Sequence, residues 1–160
     1  MPRPAFAPAW AKFAEVNVKV AGVGTKIGGK VEHNIVSGTF QNACPIRMSY
    51  VLNYTGVPVP SAGYHVVSGA DKKWYMYRVP EMMQFLERSF GKADATHAAP
   101  TPQHFAGKKG ILVVRGKGWS NAVGHVTLWN GGMCSDSCHL MEDPDNGTFT
   151  PDTASLWVLP

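Results

Sequence analysis

Three cysteines that cannot all pair with one another constrain this chain more than any other feature. Two stand together in Cys134-Ser-Asp-Ser-Cys138, and Cys44 stands alone far upstream. A close pair plus a distant single is what a small disulfide beside a reactive thiol would look like. A disulfide needs an oxidising compartment. Yet the segment Met1-Pro-Arg-Pro-Ala-Phe-Ala-Pro-Ala-Trp10 has no continuous apolar run of the signal-peptide kind. The expectation is a protein that leaves the cytoplasm without a cleaved signal. No stretch approaches the roughly 18 apolar residues of a membrane span, so membrane insertion is not expected.

Length and composition narrow the fold. The 160 residues suit a single domain, read here as one catalytic unit over residues 1–160. At 44% hydrophobic and 16% charged, the chain has enough apolar material for a core and too little charge for disorder. Seventeen glycines and twelve prolines favour turns and short elements over a helical bundle. The net charge of +4 is spread along the chain without a long basic block, so no nucleic-acid partner is expected.

Periodicity predicts a helix from Pro8 to Asn17, on the spacing of Phe6, Trp10 and Phe13. Gly22 to Lys30 reads as a glycine-rich turn after a strand-like Val18-Lys-Val20. A helix from Pro45 to Tyr54 is marked by its proline start, its stripe of Met48, Val51 and Leu52, and Gly56 as a stop. Trp74 to Val79 reads as a strand, and Pro80 opens a helix that Gly91 ends. Ala93 to Gly107 reads as a surface loop. Ile111–Val114, His125–Asn130 and Ser155–Leu159 read as strands, with His125, Thr127 and Trp129 on one face. Helices first and strands mostly last argue for an α+β fold, N-terminal helices packed on an antiparallel sheet.

Cys44 precedes Pro45 and so opens a helix, where free backbone N–H groups and the helix dipole stabilise a thiolate. The same N–H groups can stabilise an adjacent oxyanion, with the Cys44 N–H as first donor and Gln41 or Asn42 as a second. The alternative is a buried structural cysteine. His125 is the best base, because a strand holds it and Gly124 beside it permits close approach of another backbone. A satisfied core histidine is the competing reading. His33, His65, His97 and His104 fall in loop-like stretches. Asp136 follows where a turn at Asn130-Gly-Gly132 would return the chain beside His125, and could orient the base. A helix-borne Cys, a strand-borne His and then an acid is the chain order of papain-like thiol hydrolases.

These residues belong to longer strings. Phe40-Gln-Asn-Ala-Cys-Pro-Ile-Arg-Met-Ser-Tyr50, Gly118-Trp-Ser-Asn121, Gly124-His-Val-Thr-Leu-Trp-Asn-Gly131, Cys134-Ser-Asp-Ser-Cys138, Asp143-Pro-Asp-Asn-Gly147 and Leu156-Trp-Val-Leu-Pro160 together resemble the fourth family of type VI secretion amidase effectors. The likeness covers nearly the whole chain and is loosest from Val57 to Ala106. It implies a papain-like fold of the cell-wall cysteine peptidase kind. It also implies cleavage of the γ-D-glutamyl–meso-diaminopimelate bond in peptidoglycan stems, with no cofactor and no metal. The family's triad carries over onto Cys44 as nucleophile, His125 as base and Asp136 as orienter, and its disulfide onto Cys134 and Cys138. The implied partners are the peptidoglycan stem, the secretion apparatus and a cognate immunity protein, with action in the periplasm of a target cell. Trp119 and Trp129 are candidate walls of the substrate groove, with a core role as the alternative.

Other readings remain for comparison. Gly24-Thr-Lys-Ile-Gly-Gly-Lys30 nearly completes a phosphate-binding loop, but Val31 stands where Ser or Thr should hold magnesium. Cys134, Cys138, His139 and His125 could form a zinc-stabilised binding module, although the Cys-x3-Cys-His spacing is unlike separated ligand pairs. A calcium loop from Asp143 lacks its final Glu, since Ala154 stands there. A non-catalytic cell-wall binder would leave Cys44 without a role.

Overall fold

The computed structural model describes residues 2–120 and 122–160. Met1 and Asn121, the last residue of the Gly118–Asn121 string, lie outside the described residues.

Four helices come first: α1 (Phe6–Val16), α2 (Val20–Ile27), α3 (Gly29–Val36) and α4 (Cys44–Asn53). A two-stranded antiparallel ribbon of β1 (Val66–Ser68) and β2 (Trp74–Met76) follows, then α5 (Val79–Phe90). The main sheet is built from β3 (Ala95–Ala98), β4 (Gly110–Lys117), β5 (Gly124–Trp129) and β6 (Thr150–Val158). It is antiparallel throughout, in the order β3-β6-β4-β5, so β5 is an edge strand.

Strand alternation sends side chains to two faces, and each face has its own cover. Ile111, Val113, Val126, Leu128 and Trp157 pack against α1, α4 and α5 through residues such as Phe13, Met48, Leu52 and Leu86. Leu112, Val114, Trp129 and Leu156 pack instead against Phe105, Leu140 and Phe149. The α4 helix is almost wholly interior, with eight of its ten residues buried. Its Ser49 hydroxyl donates to Pro45 O at 2.8 Å and accepts from Met76 N–H, which satisfies this fully buried hydroxyl.

Three local expectations are corrected. Val18-Lys-Val20 is not a strand but leads into α2, and the Gly22–Lys30 segment falls in the helix pair α2 and α3. Gly29, at φ +60°, makes the turn between them where a Cβ would meet Gly69 backbone at 2.6 Å. The Ala93–Gly107 loop contains β3 and a short 3-10 turn, Pro102–Phe105. Consequently His33 is helical and His97 lies on a strand. Among the described residues, no helix is long and apolar enough to cross a membrane.

Candidate active site

Cys44 is the first residue of α4, with Pro45 next to it. The preceding Ala43 has no side-chain acceptor, so Asn42 Oδ1 takes the Cys44 N–H at 3.2 Å. The expected oxyanion donor is therefore already engaged. Cys44 is 1% exposed. Its helix turn is tethered from behind by Arg47, whose guanidinium donates to Val16 O at 2.9 Å and Val18 O at 2.6 Å.

His125 comes from the start of β5. Gly124 before it faces Val114 O, which would lie 2.3 Å from a Cβ, so only glycine fits that approach to β4. Beyond β5 the chain turns at Asn130, whose Oδ1 accepts from Gly132 and Met133 N–H groups. It then runs back along the open edge, with Cys134 bridged to Trp129 and Ser135 N–H donating to Leu128 O at 2.9 Å. Continuing that register sets Asp136 opposite Thr127. Asp136 Oδ1 accepts from Thr127 Oγ1 at 2.6 Å and bonds His125 Nε2 at 3.0 Å. Two further ties hold this return segment: the Cys134–Cys138 disulfide, and Asn17 Nδ2 donating to Ser135 O at 2.9 Å. Joined sulfurs are not thiolate ligands, which disfavours the zinc reading.

The structure thus brings Cys44, His125 and Asp136 together. With His125 Nε2 turned to Asp136, the other ring nitrogen is left for Cys44, which is among the groups that act on the ring's charge. Burial opposes charging of His125, but the Asp136 carboxylate and Cys44 outweigh it and raise its pKa to about 10. Burial also pushes Asp136 up, yet the His125 charge and the Thr127 hydroxyl hold it below the usual carboxylate range.

A cavity of about 300 Å³ opens over the His125–Asp136 pair, lined also by Gln41, Asn42, Trp119 and His139. A neighbouring one of about 330 Å³ shares Asn42 and Trp119 and adds Tyr77 and the exposed Arg78. Trp119 is a wall of both. Trp129 is not a wall here: it is 1% exposed, packs in the core and donates from Nε1 to Phe105 O. Sequence reasoning missed Thr127 and Arg47 as supports. Thr127 was visible as the residue two beyond His125 on the same strand face.

Residues 40–157 match the family described as type VI secretion system amidase effector protein 4. The chain belongs to that family. Among solved structures it is similar to the effector Tae4 from Salmonella typhimurium in complex with the immunity protein Tai4 from Enterobacter cloacae, at 58% identity and a TM-score of 0.96, covering 99% of this chain and 100% of that one. It is also similar to Tae4 from Enterobacter cloacae, at 56% identity and a TM-score of 0.93 over 100% of both chains. The Tae4–Tai4 complex from Salmonella Typhimurium contains a further match, at 55% identity, a TM-score of 0.91 and 99% coverage of each chain. No curated protein matches the sequence. As a member of the amidase effector 4 family, the chain is an amidase effector of a type VI secretion system.

Proposed function

We propose that the chain is an antibacterial peptidoglycan hydrolase of papain-like architecture, a single catalytic domain that cleaves the γ-D-glutamyl–meso-diaminopimelate bond. The observation that carries this reading is the 3.0 Å hydrogen bond between His125 and Asp136, with Cys44 among the groups that act on the same ring. Asp136 keeps the proton on His125 Nε2, so Nδ1 accepts the Cys44 proton. The thiolate attacks the γ-carbonyl carbon of D-glutamate to give a tetrahedral oxyanion. The imidazolium returns its proton to the departing diaminopimelate amine as the C–N bond breaks, leaving a thioester. His125 then takes a proton from water, the resulting hydroxide attacks the thioester carbon, and the carboxylate is released with the thiol restored.

Substrate entry requires the Asn42 side chain to give way, because it caps the Cys44 N–H that the oxyanion needs. The exposed Arg78 in the adjoining cavity suits a carboxylate-bearing stem. By likeness to the Tae4–Tai4 complexes, a cognate Tai4-type immunity protein is the partner. The place of action in this reading is the periplasm of the target cell, where the peptidoglycan substrate lies.

End-group analysis tests the bond. Digestion of meso-diaminopimelate peptidoglycan is expected to release new D-glutamate γ-carboxyl and diaminopimelate amine ends. Release at any other amide would overturn the bond assignment.

A further inference from the structure

His139 was singled out in the sequence only as a possible zinc ligand, and the proposed mechanism does not use it. It stands at φ +59°, a backbone region that non-glycine residues adopt at a cost. The surroundings hold it there. Its N–H donates to Asp143 Oδ2 at 2.7 Å, and Asp143 is itself fixed by an N–H from Asp145. Its ring lies at right angles to that of His125, with centroids 4.8 Å apart, and at right angles to Trp119 at 4.7 Å. Trp119 in turn stacks on Phe149 at 4.1 Å. The His125 ring is therefore braced by a second imidazole whose own position is fixed from behind.

The tautomer of that second ring follows from its neighbours. Asn146 Nδ2 donates to Leu140 O at 2.9 Å, so its Oδ1 is the atom that faces His139. An amide oxygen only accepts, and the His139 Nδ1 contact of 3.1 Å therefore places the ring proton on Nδ1. A neutral ring whose only N–H is turned to Asn146 has no hydrogen to offer Asp136. The carboxylate is left to His125 and Thr127. Burial, and then the charge on His125, push His139 below the usual imidazole value, which keeps it in this neutral form.

We propose that His139 is a positioning residue whose imidazole, its Nδ1 proton committed to Asn146, holds the His125 ring in register with Asp136 and Cys44. This rests on the thiol mechanism above but not on which bond is cut. The ionisable groups facing His139 are His125, Asp136 and Asp143, with Cys44 beyond the first of these.

Two variants test it in the full chain. His139→Asn removes the ring while suiting the positive φ. It is expected to lower kcat on stem peptides roughly ten- to hundredfold with little change in KM, as misorientation of a catalytic group does. Asn146→Asp keeps an acceptor for Nδ1, gives up the bond donated to Leu140 O, and by its charge favours a second imidazolium beside His125. It is expected to move the alkaline limit of activity down by about one pH unit. The rate of Cys44 alkylation by iodoacetamide against pH reads the Cys44–His125 pair without any substrate. Both variants are expected to alter that profile. If either folds, keeps its disulfide and retains the wild-type alkylation and activity profiles, His139 is packing alone and the proposal is overturned. Loss of stem cleavage in the wild type, with a His139-dependent alkylation profile, would instead refute the substrate assignment.

Discussion

Cys44 and Asp136 reach the same site by opposite kinds of support. Cys44 rides on a helix whose side chains are mostly interior, so hydrophobic packing sets its position. Asp136 rides on an irregular return segment along a sheet edge, held by a disulfide, an Asn17 hydrogen bond and the Thr127 and His125 contacts. The placement of Cys44, the proposed nucleophile, should therefore be lost only with the fold. The acid should be separable from it.

Substitutions can break that contrast. Asp136→Asn is expected to lower kcat at least about hundredfold, because the amide can no longer hold the base in its tautomer or stabilise its charge. Its pH behaviour follows from the two shifts. His125 is raised above its unfolded value, so its contribution to stability is complete below about pH 6.5 and is lost as pH rises through about 10. Asp136 is lowered, so its contribution is present above the ordinary carboxylate range and is lost as pH falls through its folded value. The stability gap between wild type and Asp136→Asn is expected to be widest between those limits and to close at both ends, as chemical denaturation against pH would read. The alkaline limit of residual activity should also fall in the variant.

Leu52→Ala attacks the other region. It is expected to cost about 3 kcal/mol of stability, read by denaturant titration, while the folded fraction keeps its pH profile. Replacing both Cys134 and Cys138 by alanine should cost less, about 2 kcal/mol, because the bridge closes a very short loop. Its activity loss should exceed what the unfolded fraction explains, since the acid's segment is loosened. The smallest effect is expected for Asn17→Ala, about 1 kcal/mol or less, from one exposed hydrogen bond. If the Leu52 variant altered the pH profile, or the disulfide variant changed stability alone, the contrast would fail.

The same contrast governs what was legible in the sequence. The α4 helix and strand β5 announced themselves through proline at a first turn and strict alternation, which are local signals. Asp136 was reachable because the turn at Asn130-Gly-Gly132 implied a return along β5. The helix pair α2 and α3 was misread because Gly28 and Gly29, both at positive φ, turn the chain between two short helices, and a glycine-rich run has the same composition as a loop. Strand β3 was hidden because Ala-Thr-His-Ala on a sheet edge carries little apolar pattern. The brace at His139 depends on a positive φ and on contacts from Trp119 and Asn146, which no local pattern encodes. The Asn42 cap on the Cys44 N–H was missed for a related reason: the helix end was expected to be open, and a neighbouring side chain closes it.

The most direct measurement compares wild type with Cys44→Ala in digestion of purified meso-diaminopimelate peptidoglycan. Thermal melts would confirm that the variant is folded, and fragments would be resolved by mass. The predicted result is release of cleaved stems by the wild type and none above background by Cys44→Ala. Equal release by both proteins would contradict a thiol mechanism at Cys44.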